Sequence, residues 1–417
     1  MKRGAVGAMR AGAVVLGVVL AFFAAPLAQA QEGKGGVELA ETAGTDAGLQ
    51  AWIAGFRPRA LAMGISEATF DQAFRGVAFN AQVIDRDRHQ AEFTKTIWAY
   101  LDIATSDDRV NAGRKALQAH GPLLQRIEDT YGVDKHILLA VWGLETSYGA
   151  VRGNYGLIEA LASLAYDGRR RSFFETELLA ALKIVQSGDA RLEEMICSWA
   201  GATGHTQFMP SSYLAHAVDF NGDGRRDIWG DDPADALAST AAYLRHFGWQ
   251  AGQHWGLEVN LPAGFDYELT GSFVKKPVAE WRALGVRPAA GGDLPEDGAG
   301  SVLLPAGARG AAFLVFHNFT AIEAYNPADA YVIGVGHLAD RIAGGPPIQA
   351  AWPREDRLLT PDERLELQAL LARAGFYADA VDGRIGPNTV AGVKAFQRAN
   401  GLVPDGYASL DILTRLR

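Results

Sequence analysis

The residue with the clearest capacity for chemistry is Glu145. It closes the run Lys135-His136-Ile137-Leu138-Leu139-Ala140-Val141-Trp142-Gly143-Leu144-Glu145-Thr146, and Ser147-Tyr148-Gly149 follow it. The run is apolar on almost every side, so its period predicts a buried helix, with Asp134 as the capping residue. A carboxylate among apolar neighbours, at the negative end of a helix, loses stabilisation of its charged form. Its pKa should rise, and a carboxyl that is protonated near neutrality can act as general acid toward a glycosidic oxygen. The plainer alternative is a glutamate salt-bridged at a helix end.

A second stretch is made for close approach: Ser198-Trp199-Ala200-Gly201-Ala202-Thr203-Gly204-His205-Thr206-Gln207-Phe208-Met209-Pro210-Ser211. Small residues let a backbone come near a ligand. The Gln207 amide both donates and accepts, which suits sugar hydroxyls and an N-acetyl group. Alone, such a stretch also fits a tight helix crossing; with Glu145 it reads as one site.

The third pattern is Asp219-Phe220-Asn221-Gly222-Asp223-Gly224-Arg225-Arg226-Asp227-Ile228-Trp229. Alternating oxygen donors with Gly224 at the sixth place match a calcium loop. Asp219, Asn221 and Asp223 would supply side-chain oxygens, Arg225 its carbonyl, and Asp227 a contact through water. The twelfth place is Gly230, where a bidentate Glu belongs. An Asx-turn network without metal is therefore the alternative. Any ion here, Ca2+ or Na+, would be structural, because the loop offers no open catalytic position. No cofactor is required for the chemistry.

Ala140-Val141-Trp142-Gly143-Leu144-Glu145-Thr146-Ser147-Tyr148-Gly149, with Gly201-Ala202-x-Gly204-x-x-Gln207-Phe208-Met209-Pro210-Ser211, resembles the lytic murein transglycosylase B family, whose fold is lysozyme-like. The resemblance extends over Asp85 to Asp102 and Asn318 to Tyr331. It departs at Thr203, where the family usually carries Met. It implies a single catalytic acid, Glu145, that protonates the leaving oxygen of the MurNAc–GlcNAc bond. The N-acetyl carbonyl of the muramoyl sugar stabilises the positive centre. The same Glu then acts as base on the sugar's 6-hydroxyl, leaving a 1,6-anhydro end. By the same resemblance Ser198, Gln207, Tyr243, Tyr325, Asn326 and Tyr331 line the glycan cleft, Arg169 and Arg170 meet the acidic peptide stem, and Asp235, with Asp231 as rival, completes the ion site. A hydrolase on the same fold would need a second carboxylate, for which Asp167 and Glu175 are available, although salt-bridged surface roles suit them better. A non-catalytic wall-binding protein is the remaining alternative, with Glu145 structural.

Leu367-Gln368, Gly375-Phe376-Tyr377, Asp382-Gly383, Gly386-Pro387, Ala395-Phe396-Gln397 and Asp405-Gly406 resemble the small three-helix peptidoglycan-binding module of wall enzymes. Thr360-Pro361-Asp362-Glu363 predicts its first helix through a capping box.

The elements that must position these groups are mostly helical. Apolar periodicity predicts helices over Ser66–Phe74, Ala91–Ile103, Val110–Tyr131, Lys135–Thr146, Leu157–Leu164, Ser172–Gln186, Ala234–Phe247 and Thr320–Tyr325. Leu257–Leu261 and Phe265–Leu269 read as strands between Pro/Gly-rich turns. The expectation is a mainly α protein: a lysozyme-like α+β catalytic domain (49–345) with a small inserted sheet, a linker (346–360) and a three-helix domain (361–417).

Residues 1–30 read as a cleaved signal peptide: Lys2, Arg3 and Arg10, an apolar run from Ala11, and Ala28-Gln29-Ala30 as the cleavage site. Residues 31–48 read as a flexible lead-in. A soluble periplasmic monomer is expected. The lone cysteine, Cys197, reads as a packing residue and permits no intrachain disulfide. Net charge −9 lacks the basic excess that nucleic acid demands, so the expected partner is the peptidoglycan glycan strand.

Overall fold

The computed structural model describes residues 45–88 and 95–417. The expected signal peptide lies outside them, as do the lead-in up to residue 44 and residues 91–94 of the helix expected over Ala91–Ile103; the helix found there starts later, at Ile97, capped by Thr96, and ends at Ala104. No described helix is long and apolar enough to cross a membrane.

The described residues are mostly helical, with the expected small sheet set into the body and a two-stranded pairing of Tyr155–Gly156 with Ile196–Cys197 besides. Two apolar cores share the labour. One gathers Leu138, Val141 and Trp142 with Leu244, Ile322, Tyr331 and Leu338. The other gathers Phe56, Phe70, Leu161, Leu178, Phe208 and Tyr213. The helix Lys135–Thr146 runs through the first, packed against Asp107–Tyr131 and Asp329–Ile342. Nine of its twelve residues are buried, which follows from an apolar sequence that offers no polar face.

Several helices differ from the periodic reading. Asp46–Ala62 begins inside the expected lead-in, started by Thr45, whose hydroxyl accepts from Gly48 N at 3.1 Å. Ala81–Arg88, Pro210–His216 and Asp329–Ile342 were not foreseen. The last, ten of whose fourteen residues are buried, packs against the helix that carries Glu145.

The inserted sheet has five antiparallel strands in the order Lys276–Pro277, Ala299–Leu303, Ala312–Val315, Gly256–Asn260, Arg287–Pro288. It closes on its own core around Trp281, Val286, Val302 and Leu314. The strand expected over Phe265–Leu269 is instead a single 3₁₀ turn, Tyr267–Leu269. Asp266 accepts from Glu268 N at 3.0 Å and fixes that turn, a local bond that competes with strand pairing.

Residues 346–360 cross the body without regular structure but are strapped to it. Glu258 accepts from the amides of Gln349 and Ala350, and Arg354 pairs with Asp102 at 2.7 Å. Three helices follow, Pro361–Arg373, Pro387–Ala399 and Leu410–Leu416, around Leu367, Leu371, Val393 and Leu413. The Thr360–Glu363 capping box forms as the sequence predicted.

Candidate active site

Glu145 is 7% exposed, and among the described residues no cation pairs with it. Burial pushes its carboxyl up to about 8, while the Tyr331 hydroxyl, donating to Oε1 at 2.6 Å, pulls the other way. The salt-bridged alternative is thus not what the structure holds. The helix ends in an unusual turn. Ser147 and Tyr148 both take left-handed φ, 52° and 60°. Non-glycine residues held there cost about 1–3 kcal/mol each and persist where surroundings over-determine them. Here Thr146 accepts from Gly149 N at 3.0 Å and donates to His205 O at 2.6 Å. Tyr148 reaches back to donate to Arg109 O at 2.9 Å.

His205 fastens the acid helix to the Gln207 loop. Its Nδ1 accepts from Trp142 Nε1 at 3.2 Å, so its Nε2–H donates to Gly230 O at 2.7 Å. Burial lowers its pKa, consistent with a neutral ring. Gly149 must be glycine at this crossing. Its φ is +84°, and a Cβ would lie 2.7 Å from the His205 ring.

Gln207 also has a left-handed backbone, φ 56°. Its Nε2 donates to Gly204 O at 2.9 Å and Arg152 O at 3.3 Å, which leaves Oε1 buried with no partner. A buried acceptor in that state loses its water without compensation, unless a ligand donor reaches it. Ser198 accepts from Ala202 N at 3.2 Å within the same loop. Thr203, the departure from the expected methionine, is fully buried and satisfied: it donates to Ile196 O and accepts from Trp229 Nε1.

The tyrosines take unequal parts. Tyr331, expected to hold glycan, grips the acid itself. Tyr325 donates to Thr206 O, beside Gln207, and its hydroxyl is pushed up by burial and by Glu145. Tyr243 packs edge-on to Tyr325 at 5.1 Å and donates to Ala324 O at 2.6 Å. Asn326 is buried and accepts from Ala328 N at 3.1 Å, which sets the turn that leads to Tyr331.

Arg169 and Arg170 converge on the buried carboxylate of Asp87, at 2.6 and 3.1 Å. Asp167 pairs with Arg88 and Glu175 with Arg59, each at 2.8 Å, so both carry the structural roles expected of them. Cys197 is buried, free and pushed up by burial, a packing residue and not a nucleophile.

Tyr100, Tyr148 and His205 were not among the expected site residues. Tyr100 is close enough that Glu145 raises its pKa. It lies inside the Asp85 to Asp102 stretch that carried part of the resemblance, which was the only signal for it.

The Asp219–Asp227 loop is laced by its own oxygens. Asp219 accepts from the amides of Gly222 and Gly224, Asn221 from Asp223, and Asp223 from Arg225. Asp235, 1% exposed, accepts from Phe220 and Asp227 at 2.8 and 2.9 Å. Among the described residues no group of three acidic, His or Cys side chains is arranged to hold a metal. The loop as it stands is an Asx-turn network.

Residues 48–340 match the Transglycosylase SLT domain family, and 360–416 match a peptidoglycan binding domain family. Among solved structures, SltB3 from Pseudomonas aeruginosa in complex with NAG-anhNAM-pentapeptide superposes with a TM-score of 0.85 at 50% identity. That match covers 88% of this chain and 99% of SltB3. Escherichia coli Slt35 in complex with calcium gives 0.60 at 27% identity, over 72% of this chain and 93% of Slt35. The membrane-bound lytic murein transglycosylase B of E. coli is 32% identical over 243 residues, 57% of this chain. The match spans 64% of that relative's length. With the larger part of its length matched and its acid helix intact, the chain belongs to the Transglycosylase SLT domain family.

Proposed function

We propose that this chain is a peptidoglycan lytic transglycosylase that cleaves the MurNAc–GlcNAc β-1,4 bond and leaves 1,6-anhydro-MurNAc ends. The observation that carries this reading is the buried Glu145 carboxyl, raised to about 8 and held by Tyr331.

At neutral pH Glu145 is protonated and gives its proton to the leaving oxygen, so the bond breaks without an alkoxide. The substrate's N-acetyl carbonyl covers the positive centre at C1. Gln207 Oε1 accepts a hydrogen bond from a sugar hydroxyl or the N-acetyl N–H, which satisfies its orphaned lone pairs. The Glu145 carboxylate, now ionised, is steadied by the Tyr331 donor until it takes the proton from the 6-hydroxyl, whose oxygen closes onto C1. One carboxyl returns to its starting state, and no water is consumed. The apolar surroundings of the acid helix keep a competing water away. A two-carboxylate hydrolase is less well served, because Asp167 and Glu175 are committed to arginines.

Around this centre, Ser198, Tyr243, Tyr325 and Asn326 shape the glycan cleft. Arg169, about half exposed, offers positive charge to an acidic peptide stem, with Arg170 behind it. Residues 1–30 direct export to the periplasm, and residues 361–417 hold the enzyme on the wall. The calcium in Slt35 supports a structural cation at the Asp219–Asp227 loop. Asp219, Asn221, Asp223, the Arg225 carbonyl and Asp235 would hold it, with an all-oxygen character suited to Ca2+ or Na+.

Mass spectrometry of the soluble products from peptidoglycan tests the reading. Muropeptides ending in 1,6-anhydro-muramic acid are expected from the native enzyme and none from Glu145→Gln. Ordinary reducing ends would make the protein a hydrolase, and undiminished turnover in Glu145→Gln would remove Glu145 as the acid.

A further inference from the structure

The C-terminal module does not hang free. Lys394, 7% exposed, donates to the carbonyls of Tyr267 and Thr270, both at 2.9 Å, and to Thr270 Oγ1 at 3.0 Å. Arg398 pairs with Glu268 at 2.9 Å, and Asp405 accepts from Ala308 N at 2.8 Å. A buried ammonium with all three protons spent on the opposite face makes a fixed joint, because breaking it strands a charge.

Between the joined faces lies a cavity of about 590 Å³, within the range of small-molecule and peptide sites. Its wall is largely apolar, with Val274, Leu304, Ile385, Val390 and the 80%-exposed Phe273. Two opposite charges face it without partners. Among the described residues the Arg364 side chain makes no hydrogen bond or ion pair, and its Nε is buried and unsatisfied. Asp329, exposed on the cavity wall, likewise has no cation partner among the described residues. They line one cavity yet do not pair with each other. A third feature has the same sign as Arg364: the thirteen-residue helix Pro387–Ala399 opens onto the cavity from Gly386 with no side chain capping it. An uncapped helix start attracts anions. Asp329 also opens the helix that carries Tyr331, so the cavity and the catalytic acid share one helix end.

We propose that this cleft is a second recognition site for the peptide stem, accepting a zwitterionic segment. Arg364 and the open start of Pro387–Ala399 receive its carboxylate, Asp329 its ammonium group, and the apolar wall its alanine methyls. The site rests on the peptidoglycan reading above and assigns it a place on the molecule distinct from Glu145 and from Arg169. Stem peptides carry free carboxylates and, at their diamino acid, an amine, which is the pairing that the two unpartnered charges request. A bare glycan would satisfy neither.

The test is calorimetric titration of the mature full-length protein, in the Glu145→Gln background, with the free tetrapeptide L-Ala-γ-D-Glu-meso-diaminopimelate-D-Ala. Arg364→Gln and Ala391→Trp are compared with Arg169→Gln; Ala391 is exposed on the cavity side of its helix, so a tryptophan there obstructs the cleft without entering a core. Both cleft variants should weaken tetrapeptide binding tenfold or more. The same substitutions in the active enzyme should leave its rate on peptide-free glycan unchanged. Blocking the peptide's amine should weaken binding to the native cleft but change little in Asp329→Asn. Equal binding by Arg364→Gln and the parent would overturn the site, as would loss confined to Arg169→Gln or no binding to the parent at millimolar peptide. Product analysis separates this from the activity: reducing-end products would refute the transglycosylase reading while leaving the titration to judge the cleft.

Discussion

Replacing Glu145 by Gln should abolish turnover and, at the same time, stabilise the fold in a pH-dependent way. The ordinary value for a glutamate is 4.5, and burial raises Glu145 to about 8. Between those values the folded protein keeps a proton on Glu145 that the unfolded chain has lost. The folded state binds more protons, so stability falls as pH rises through that window and is unaffected below it. At about 1.4 kcal/mol per pH unit, the accumulated loss is roughly 3 kcal/mol at pH 7 and about 5 kcal/mol once pH passes 8. Glutamine has the shape of the neutral acid, keeps an oxygen for Tyr331 to donate to, and does not titrate. The variant and the native enzyme should therefore unfold at similar urea concentrations near pH 4.5. By pH 7–8 the variant should be more stable by several kcal/mol, a large fraction of any protein's margin. Urea unfolding of both proteins across pH 4.5 to 8.5 measures the difference. Parallel curves would mean that Glu145 titrates near its ordinary value, and the reasoning from burial to general acid would fail with them.

Two further outcomes follow from the same geometry. Tyr331→Phe removes the hydroxyl that steadies ionised Glu145, so the carboxyl should rise further above its usual range. The alkaline limb of the kcat–pH profile should move to higher pH while kcat itself falls, and a limb that stays put would show that Tyr331 does not act on Glu145. If the Asp219–Asp227 loop takes a cation, added Ca2+ should raise the melting temperature of the native protein. It should do so far less in Asp219→Asn, and equal melting with Ca2+ and with chelator would leave the loop an Asx-turn network.

Much of the site could be read from residue order because its parts are local. Glu145 and its apolar helix are contiguous, so a raised carboxyl followed from the neighbours in sequence. The small residues around Gly201 and Gly204 marked a place of close backbone approach for the same reason, and their φ of +88° and +76° favour glycine. The capping box at Thr360 needs only four residues and forms as written. The apolar run Lys135–Thr146 was visible as a helix, whereas Asp329–Ile342 was not foreseen.

Contacts between distant segments were decided by tertiary structure alone. Nothing near Glu145 in the chain names Tyr331 as its hydrogen-bond donor, 186 residues away. The bolt from Trp142 through His205 to Gly230 joins three separate segments. Nothing next to Arg169 and Arg170 in the chain names the buried Asp87, which only folding brings between them. The cleft at Arg364 and Asp329 exists only because Lys394 pins the module to a turn 124 residues earlier. Local spacing fixes periodicity, caps and turns, whose energies lie within a few residues. Which charge finds a partner, and which is left waiting for one, depends on how those elements pack.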